Sequence, residues 1–89
     1  MTFAERFGRN LLAARERVGI TQEELGFRAE LHRTAVGQLE RGERTARLDT
    51  YVKLLGALEI DPAELLIGLS WERARIQSGQ FAAFDAARL

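Results

Sequence analysis

The sequence predicts an all-α fold of five short helices over residues 1–69, followed by a short C-terminal extension over residues 70–89. Two observations lead to this prediction. Apolar residues recur every three or four positions as far as residue 69, the spacing that puts them on one face of a helix. Helix start and stop signals divide this pattern, with Thr21 and Asp61 as caps and Gly42 as a stop. One hydrophobic core is expected, because 89 residues are too few for a second.

The first two helices have well-marked boundaries in the sequence. Helix 1 is predicted from about Phe3 to Val18, and Gly19 can supply the left-handed residue that ends it. Its core stripe consists of Phe7, Leu11, Ala14 and Val18. Thr21 and Glu24 form the capping-box pattern, so helix 2 should begin there and end near residue 28.

The other three helices are predicted from the same kinds of signal. Helix 3 should cover residues 33–41, before the stop at Gly42, and helix 4 residues 48–58. The apolar face assigned to helix 4 consists of Leu48, Tyr51, Val52, Leu55 and Leu58. Helix 5 should begin at Asp61, whose side chain can cap it, with Pro62 at the tolerated first position. The residues expected to complete the core are Leu65, Leu66 and Leu69.

The C-terminal extension contains apolar residues without a continuous period. Trp71, Phe81 and Phe84 are aromatic, but Ser78 and Gly79 interrupt any pattern that would join them. Periodicity therefore leaves two conformations open for the end of the extension, residues 80–89: a short amphipathic helix or an added strand.

Composition excludes several kinds of site and of partner. The chain has no cysteine and one histidine, so we expect no disulfide, no metal site and no cofactor. It has no nucleophile–base set or phosphate loop, so we expect no enzyme activity. No apolar stretch approaches the roughly 20 residues that span a bilayer, and the N-terminus is unlike a signal peptide. We therefore expect no membrane partner and a cytoplasmic, nucleoid-associated protein of a bacterium or phage.

The distribution of charge is more informative than its sum. Thirteen basic and thirteen acidic residues give a net charge of zero, which argues mildly against a nucleic-acid partner. However, four arginines lie between Arg33 and Arg47, opposed only by Glu40 and Glu43. This local excess of positive charge keeps double-stranded DNA open as a partner.

Residues 21–42 carry the most specific pattern in the chain. QEEL at residues 22–25, Val36, and LERG at residues 39–42 stand at spacings that resemble the Cro/phage-repressor (XRE) class of helix-turn-helix proteins. The resemblance covers about Phe7 to Leu69. It implies that the five helices form a lambda-repressor-like DNA-binding domain with residues 21–42 as its helix-turn-helix unit.

Two positions of this unit depart from the family's usual residues. Gly26 stands inside helix 2 at the close crossing with helix 3, where a small residue is needed. Glu30 occupies a turn position often held by glycine. If Glu30 is left-handed, its side chain costs roughly 1 kcal/mol.

By resemblance, the first turns of helix 3 point at base edges. The matching positions are Arg33, Thr34, Gln38 and, between them, Gly37. Arginine can bind guanine with two hydrogen bonds, glutamine can do the same for adenine, and threonine can offer a methyl group to thymine. The alternative is a solvated helix face, which would be equally polar.

The resemblance also implies phosphate contacts around helix 3 and one structural ion pair. The phosphate contacts are assigned to Gln22, His32, Arg41, Arg44 and Thr45. Arg15 of helix 1 and Glu40 of helix 3 match a pair that would fix the orientation of the recognition helix. For each of these residues the alternative is an ordinary solvated side chain.

Related domains often associate in pairs, so a homodimer on a two-fold operator is expected. The interface candidates are Leu55, Leu58, Leu66, Leu69, Trp71, Phe81 and Phe84. The alternative for the late aromatic residues is that the tail folds back onto its own domain. The function expected from all these features is a sequence-specific DNA-binding transcriptional regulator, most simply a repressor. The competing hypothesis is an antitoxin-like interaction module whose tail, residues 70–89, binds a partner protein.

Overall fold

Four α-helices, a short 3₁₀ helix and a two-stranded hairpin follow one another along the chain. The computed structural model describes residues 1–74 and 78–83. The elements are α1 (Phe3–Val18), α2 (Gln22–Ala29), α3 (Arg33–Glu40), α4 (Leu48–Leu58), the 3₁₀ helix (Pro62–Leu66), β1 (Leu69–Glu72) and β2 (Gln80–Ala83). The fold is therefore mostly helical, with a small sheet after the helices.

Local signals set the ends of α1 and α2, as the sequence predicts. Gly19 is left-handed at φ 85° and ends α1. The Thr21 hydroxyl accepts a hydrogen bond from the Glu24 backbone N–H at 3.0 Å, which starts α2. Glu30 ends α2 at φ 54° and ψ 46°, so it takes the left-handed conformation without being a glycine. The chain thus tolerates a small strain at the turn of the helix-turn-helix unit.

All four α-helices and the 3₁₀ helix contribute to one core. Its fully buried side chains are Leu11, Leu25, Val36, Leu39, Leu54 and Leu65. They come from α1, α2, α3, α4 and the 3₁₀ helix. Separating any of these helices from the core would expose apolar surface to water, at a cost of about 25 cal/mol per Å². The core therefore fixes the position of α3 relative to the rest of the molecule.

The face of α4 that enters this core overlaps the predicted one in part: Leu58 is buried and Tyr51 and Leu55 pack against the core. Leu54 and Ala57 are buried, whereas Leu48 and Val52 are 77% and 57% exposed. The reason is that α4 is apolar on two sides, and only the side that packs against α2 and α1 is covered. Leu58 belongs to both sides and is buried at 3% exposure, so it has no surface to offer a second copy.

The predicted fifth α-helix is instead a single 3₁₀ helix of five residues. Asp61 caps it as expected, and Leu65 enters the core, but Leu66 is 46% exposed and does not. The buried Asn10 amide donates to the carbonyl oxygens of Leu65 at 3.0 Å and Ile67 at 2.8 Å. These two hydrogen bonds tie the end of the 3₁₀ helix to α1.

The described part of the extension contains two antiparallel strands, so residues 80–83 take the strand conformation, one of the two left open by the sequence. Residues 84–89 lie outside the described residues. Trp71 pairs with Phe81 across the two strands, with ring centroids 5.0 Å apart. Phe81 also lies 4.9 Å from the ring of Phe3 at the start of α1. The hairpin is therefore attached to the helical domain through an aromatic contact.

The tightest helix crossing lies between α1 and the end of α3, at Gly8. A Cβ atom added to Gly8 would lie 2.4 Å from the backbone oxygens of both Leu39 and Glu40. No side-chain movement can relieve such a contact, since the clashing atoms are backbone. We therefore expect Gly8→Ala to lower the free energy of unfolding by about 1–3 kcal/mol, although alanine is the better helix former.

Gly56 provides a matched control for this prediction. It lies in α4, and an added Cβ atom there would meet nothing within 4 Å. Gly56→Ala should therefore stabilise the protein by up to about 1 kcal/mol through helix propensity alone. Urea unfolding followed by circular dichroism measures both, and equal effects of the two substitutions would contradict the close crossing at Gly8.

Candidate nucleic-acid interface

The helix-turn-helix unit is held by its apolar residues and by one glycine. Leu25 of α2 and Val36 and Leu39 of α3 are fully buried between the two helices and the core. A Cβ atom added to Gly26 would lie 2.6 Å from the Leu31 backbone oxygen. The close approach anticipated at Gly26 therefore exists, and it leaves no room even for alanine.

A buried ionic network ties the end of α3 to α1 and α2. Glu40 accepts hydrogen bonds from Arg15 Nε at 2.6 Å and Arg15 Nη2 at 3.0 Å. The Gln22 amide Nε2, from the first turn of α2, donates to Glu40 at 2.8 Å. The side chains of Arg15 and Glu40 are only 12% and 4% exposed. We call Arg15, Gln22 and Glu40 the brace.

The brace is internally complete. Arg15 Nη1 donates to the Ile20 backbone oxygen at 2.9 Å, so three of its nitrogen atoms are bonded. The hydrogen bond to Glu40 raises the pKa of Arg15, and this residue stays charged wherever the protein is folded. Across residues 1–74 and 78–83, no buried side-chain nitrogen or oxygen atom lacks a hydrogen-bond partner. The brace thus fixes three elements without leaving a buried polar group unpaired.

The first turn of α3 places polar side chains in solvent. The His32 side chain caps the helix, with Nδ1 accepting from the Thr34 backbone N–H at 3.1 Å. Arg33 and Thr34 are exposed, and Arg33 makes one long contact to Glu23, at 3.5 Å between two exposed side chains. An ion pair of this kind contributes little to stability, so Arg33 can leave it for a ligand.

The second and third turns of α3 are less open than the first. Gln38 is half-buried. Gly37, expected at base edges, is buried because the Arg41 guanidinium lies over it. Arg41 itself forms an ion pair with Glu43. The exposed face of α3 therefore consists of Arg33, Thr34 and the edge of Gln38, with the Arg41 guanidinium lying at Gly37.

The loop after α3 has a fixed path. Gly42 is left-handed at φ 73°, and an added Cβ atom there would lie 2.6 Å from Cα of Glu5 in α1. The Glu43 backbone N–H donates to the Gln38 carbonyl oxygen at 2.9 Å. Arg44 and Thr45 follow with exposed side chains. Arg44 and Thr45, which are both assigned to phosphate contacts, thus follow a stretch of backbone that packs against α1 and is hydrogen-bonded to α3.

An apolar groove of about 650 Å³ lies between α1, α4 and the hairpin. We call it the apolar groove, and its lining residues are Phe3, Phe7, Thr45, Ala46, Leu48, Tyr51, Leu66, Leu69 and Phe81. Three of the predicted interface residues line it, namely Leu66, Leu69 and Phe81. Trp71 is exposed nearby on β1, Leu55 is half-buried against the core, and Phe84 lies outside the described residues.

Two structural residues were not predicted from the sequence. Gly8 permits the close crossing of α1 and α3, and a glycine in the interior of a helix is the signal that could have shown it. Asn10 holds the 3₁₀ helix against α1, but a single polar residue beside an apolar stripe gives no sequence signal for this role.

The part of the chain that the structure describes contains no group of three or more His, Cys, Asp or Glu residues placed to hold a metal ion. In that same part, no helix combines the length and the apolar character that crossing a bilayer requires.

The helix-turn-helix unit, its brace and its exposed α3 face define an XRE-type helix-turn-helix protein. Comparison with known proteins agrees: the helix-turn-helix family matches residues 11–65, which is more than half of the chain. The chain therefore belongs to the helix-turn-helix family. The predicted class is thus confirmed, and with it the prediction of a DNA-binding transcriptional regulator.

Individual relatives are regulatory proteins. Control protein C.BamHI of Bacillus amyloliquefaciens is 43% identical over 47 residues, which cover 53% of this chain and 58% of that protein. The crystal structure of the restriction-modification controller protein C.AhdI from Aeromonas hydrophila matches with a TM-score of 0.68 and 42% identity. That match covers 70% of this chain and 94% of C.AhdI. The clp gene regulator ClgR from C. glutamicum matches with a TM-score of 0.72 and 25% identity, over 75% of this chain and 87% of that one.

Proposed function

We propose that this protein binds a two-fold DNA operator as a homodimer, with α3 of each copy in the major groove, and that it acts as a repressor. The observation that carries the proposal is the contrast between the two sides of α3. The core and the brace hold its inner side in place. On its outer side Arg33 and Thr34 are exposed, and neither side chain packs into the core. A rigid helix with free polar side chains is what groove recognition requires.

Within this arrangement, base and phosphate contacts fall to different residues. Arg33, Thr34 and Gln38 read base edges, because they form the exposed polar face of α3. His32, Arg44 and Thr45 flank that face and contact phosphates.

Gln22 can contact a phosphate without leaving the brace. Its amide nitrogen carries two hydrogens, and only one is needed for the hydrogen bond to Glu40. A phosphate bound to the second hydrogen would therefore connect the DNA backbone directly to the brace. Through Glu40, this contact would also tie the DNA backbone to the end of α3.

The dimer surface that we propose is the apolar groove, and its occupant is a second copy of the chain. Thr45 and Ala46, from the loop after α3, line one side of this groove. A second copy seated there would lie beside the DNA-facing loop. Two α3 helices could then enter successive major grooves about 34 Å apart.

The regulatory setting that we propose is control of a restriction–modification system. Two of the relatives found, at 43% and 42% identity, are a control protein and a restriction-modification controller protein. We propose further that the concentration of the protein itself sets operator occupancy. Repression would follow from exclusion of RNA polymerase at the operator.

Selection of binding sites from random duplex DNA, followed by titrations over a salt series, tests the proposed reading of bases. Arg33→Ala should cost about 1–3 kcal/mol of binding free energy and relax the preference at one base pair in each half-site. Arg44→Ala is the matched control, since it should weaken binding to all sequences alike and make the salt dependence less steep. If Arg33→Ala leaves both affinity and preference unchanged, α3 does not dock as proposed.

A further inference from the structure

The middle of the exposed face of α3 is occupied by a side chain from the end of that helix. Residues 33, 37 and 41 are spaced by four and lie on one face. Gly37 has no side chain, and the Arg41 guanidinium takes the vacant place. A Cβ atom added to Gly37 would lie 2.9 Å from Arg41 Nη1, 3.6 Å from Cζ and 3.7 Å from Nη2. The guanidinium therefore lies beside Gly37, with Nη1 nearest to the place that an alanine methyl group would take.

Glu43 holds the guanidinium in this place. Arg41 Nε is paired with the Glu43 carboxylate, and both side chains are about half exposed. The Glu43 backbone is fixed in turn, since its N–H donates to the Gln38 carbonyl oxygen. Arg41 is therefore bonded through Nε, and Nη1 and Nη2 are the nitrogens that remain for a ligand.

This geometry suits a base contact better than the phosphate contact expected from the sequence. A phosphate contact depends on net positive charge, and the Arg41–Glu43 pair carries none. A guanine contact depends on the direction of two N–H groups, and a guanidinium held at its Nε is preorganised for it. Phosphates also lie at the rims of the groove, whereas the centre of the helix face meets base edges.

We propose that Arg41 is a specificity-determining residue that reads a guanine in the major groove, with Glu43 as its positioning residue and Gly37 as the space that admits it. This inference rests on the proposed docking of α3 in the major groove. It adds a fourth reading residue to Arg33, Thr34 and Gln38. It also assigns a role to Gly37, whose contribution is the absence of a side chain.

The test uses the full chain and a panel of duplexes that carry every single-base-pair change of the selected operator. The unmodified protein should discriminate about 10- to 100-fold at the base pair that Arg41 reads. Arg41→Ala should abolish the discrimination at that base pair and leave it intact elsewhere. The double variant Arg41→Ala with Glu43→Ala removes both charges of the pair, and its slope of log affinity against log salt should change little, because a contact to a base neutralises no phosphate. Arg44→Ala, the comparison variant, should weaken every duplex alike and reduce the slope.

Gly37→Ala changes the position of the Arg41 guanidinium but keeps Arg41 in the chain. The added methyl group should displace the guanidinium without unfolding α3, because the only close neighbour is the end of a flexible side chain. It should reduce discrimination at the same base pair as Arg41→Ala, and it should add nothing in the Arg41→Ala background. Thermal unfolding of both variants confirms that they are folded.

Two results would overturn the inference in distinguishable ways. If Arg41→Ala weakens all duplexes equally and the double variant Arg41→Ala with Glu43→Ala lowers the salt slope by about one, Arg41 contacts a phosphate, while the proposed function stands. If selection from random DNA yields no preferred sequence for the unmodified protein, the proposed function fails and this inference fails with it.

Discussion

Glu40→Ala is expected to lower the free energy of unfolding by about 3–5 kcal/mol. The substitution removes a carboxylate that is 4% exposed and leaves the Arg15 guanidinium, 12% exposed, without its counter-charge. The Gln22 amide would lose its acceptor at the same time. Thermal and urea unfolding measure the loss, and DNA binding should fall with it because α3 loses its anchor.

Two comparisons show whether an uncompensated buried charge is the cause. Replacing both residues together, as Arg15→Met with Glu40→Leu, should recover much of the stability, since no charge is then left in the interior. Glu24→Ala breaks an exposed pair with Arg28 on α2 and should cost less than about 1 kcal/mol. If Glu40→Ala costs no more than Glu24→Ala, the brace does not carry the stability assigned to it here.

Leu66→Glu is expected to reduce affinity for a two-fold operator by about 100-fold or more. Leu66 lines the apolar groove and is 46% exposed in a single copy. A carboxylate there would have to be buried without a partner when a second copy docks, which separates the copies. Each copy would then bind one half-site alone, without the gain from linked sites.

Val52→Glu is the matched control for dimerisation. Val52 is also an exposed apolar residue, on α4, but it does not line the apolar groove. Sedimentation should show a dimer for the unmodified chain and for Val52→Glu, and a monomer for Leu66→Glu at tens of micromolar. A dimer in all three cases would place the contact between copies on another surface.

Local sequence signals predicted the helix boundaries well. The bounds of α1 and α4 agree with the prediction, and α2 and α3 differ from it by about one residue. The reason is that caps and glycine stops act over four or five residues, all of which can be inspected in the sequence. The left-handed Glu30 and the close approach at Gly26 were expected from the resemblance to a helix-turn-helix.

Features that depend on distant partners could not be predicted. The pairing of Trp71 with Phe81 forms across a ten-residue separation, which periodicity does not detect. The face of α4 was misassigned at Leu48 and Val52, because Leu48 and Leu54 are equally apolar and only the position of α2 decides which is covered. The 3₁₀ helix is held against α1 by Asn10, more than fifty positions away, and the sequence around residues 61–69 does not show this contact. Of the candidate interface, the roles of Arg33, Thr34 and Gln38 rest on resemblance, whereas the place of Arg41 could be seen only in three dimensions.

The separation of the brace from the exposed face of α3 has a consequence for how such a regulator can change its target. The brace holds α3 by its last residue and from within, so the exposed side chains at positions 33 and 34 do not support the fold. These positions can be exchanged freely without a loss of stability large enough to unfold the protein. New operators are therefore accessible by single substitutions, each folded and testable on its own, and the chain is suited to retargeting by a small combinatorial library over these few positions.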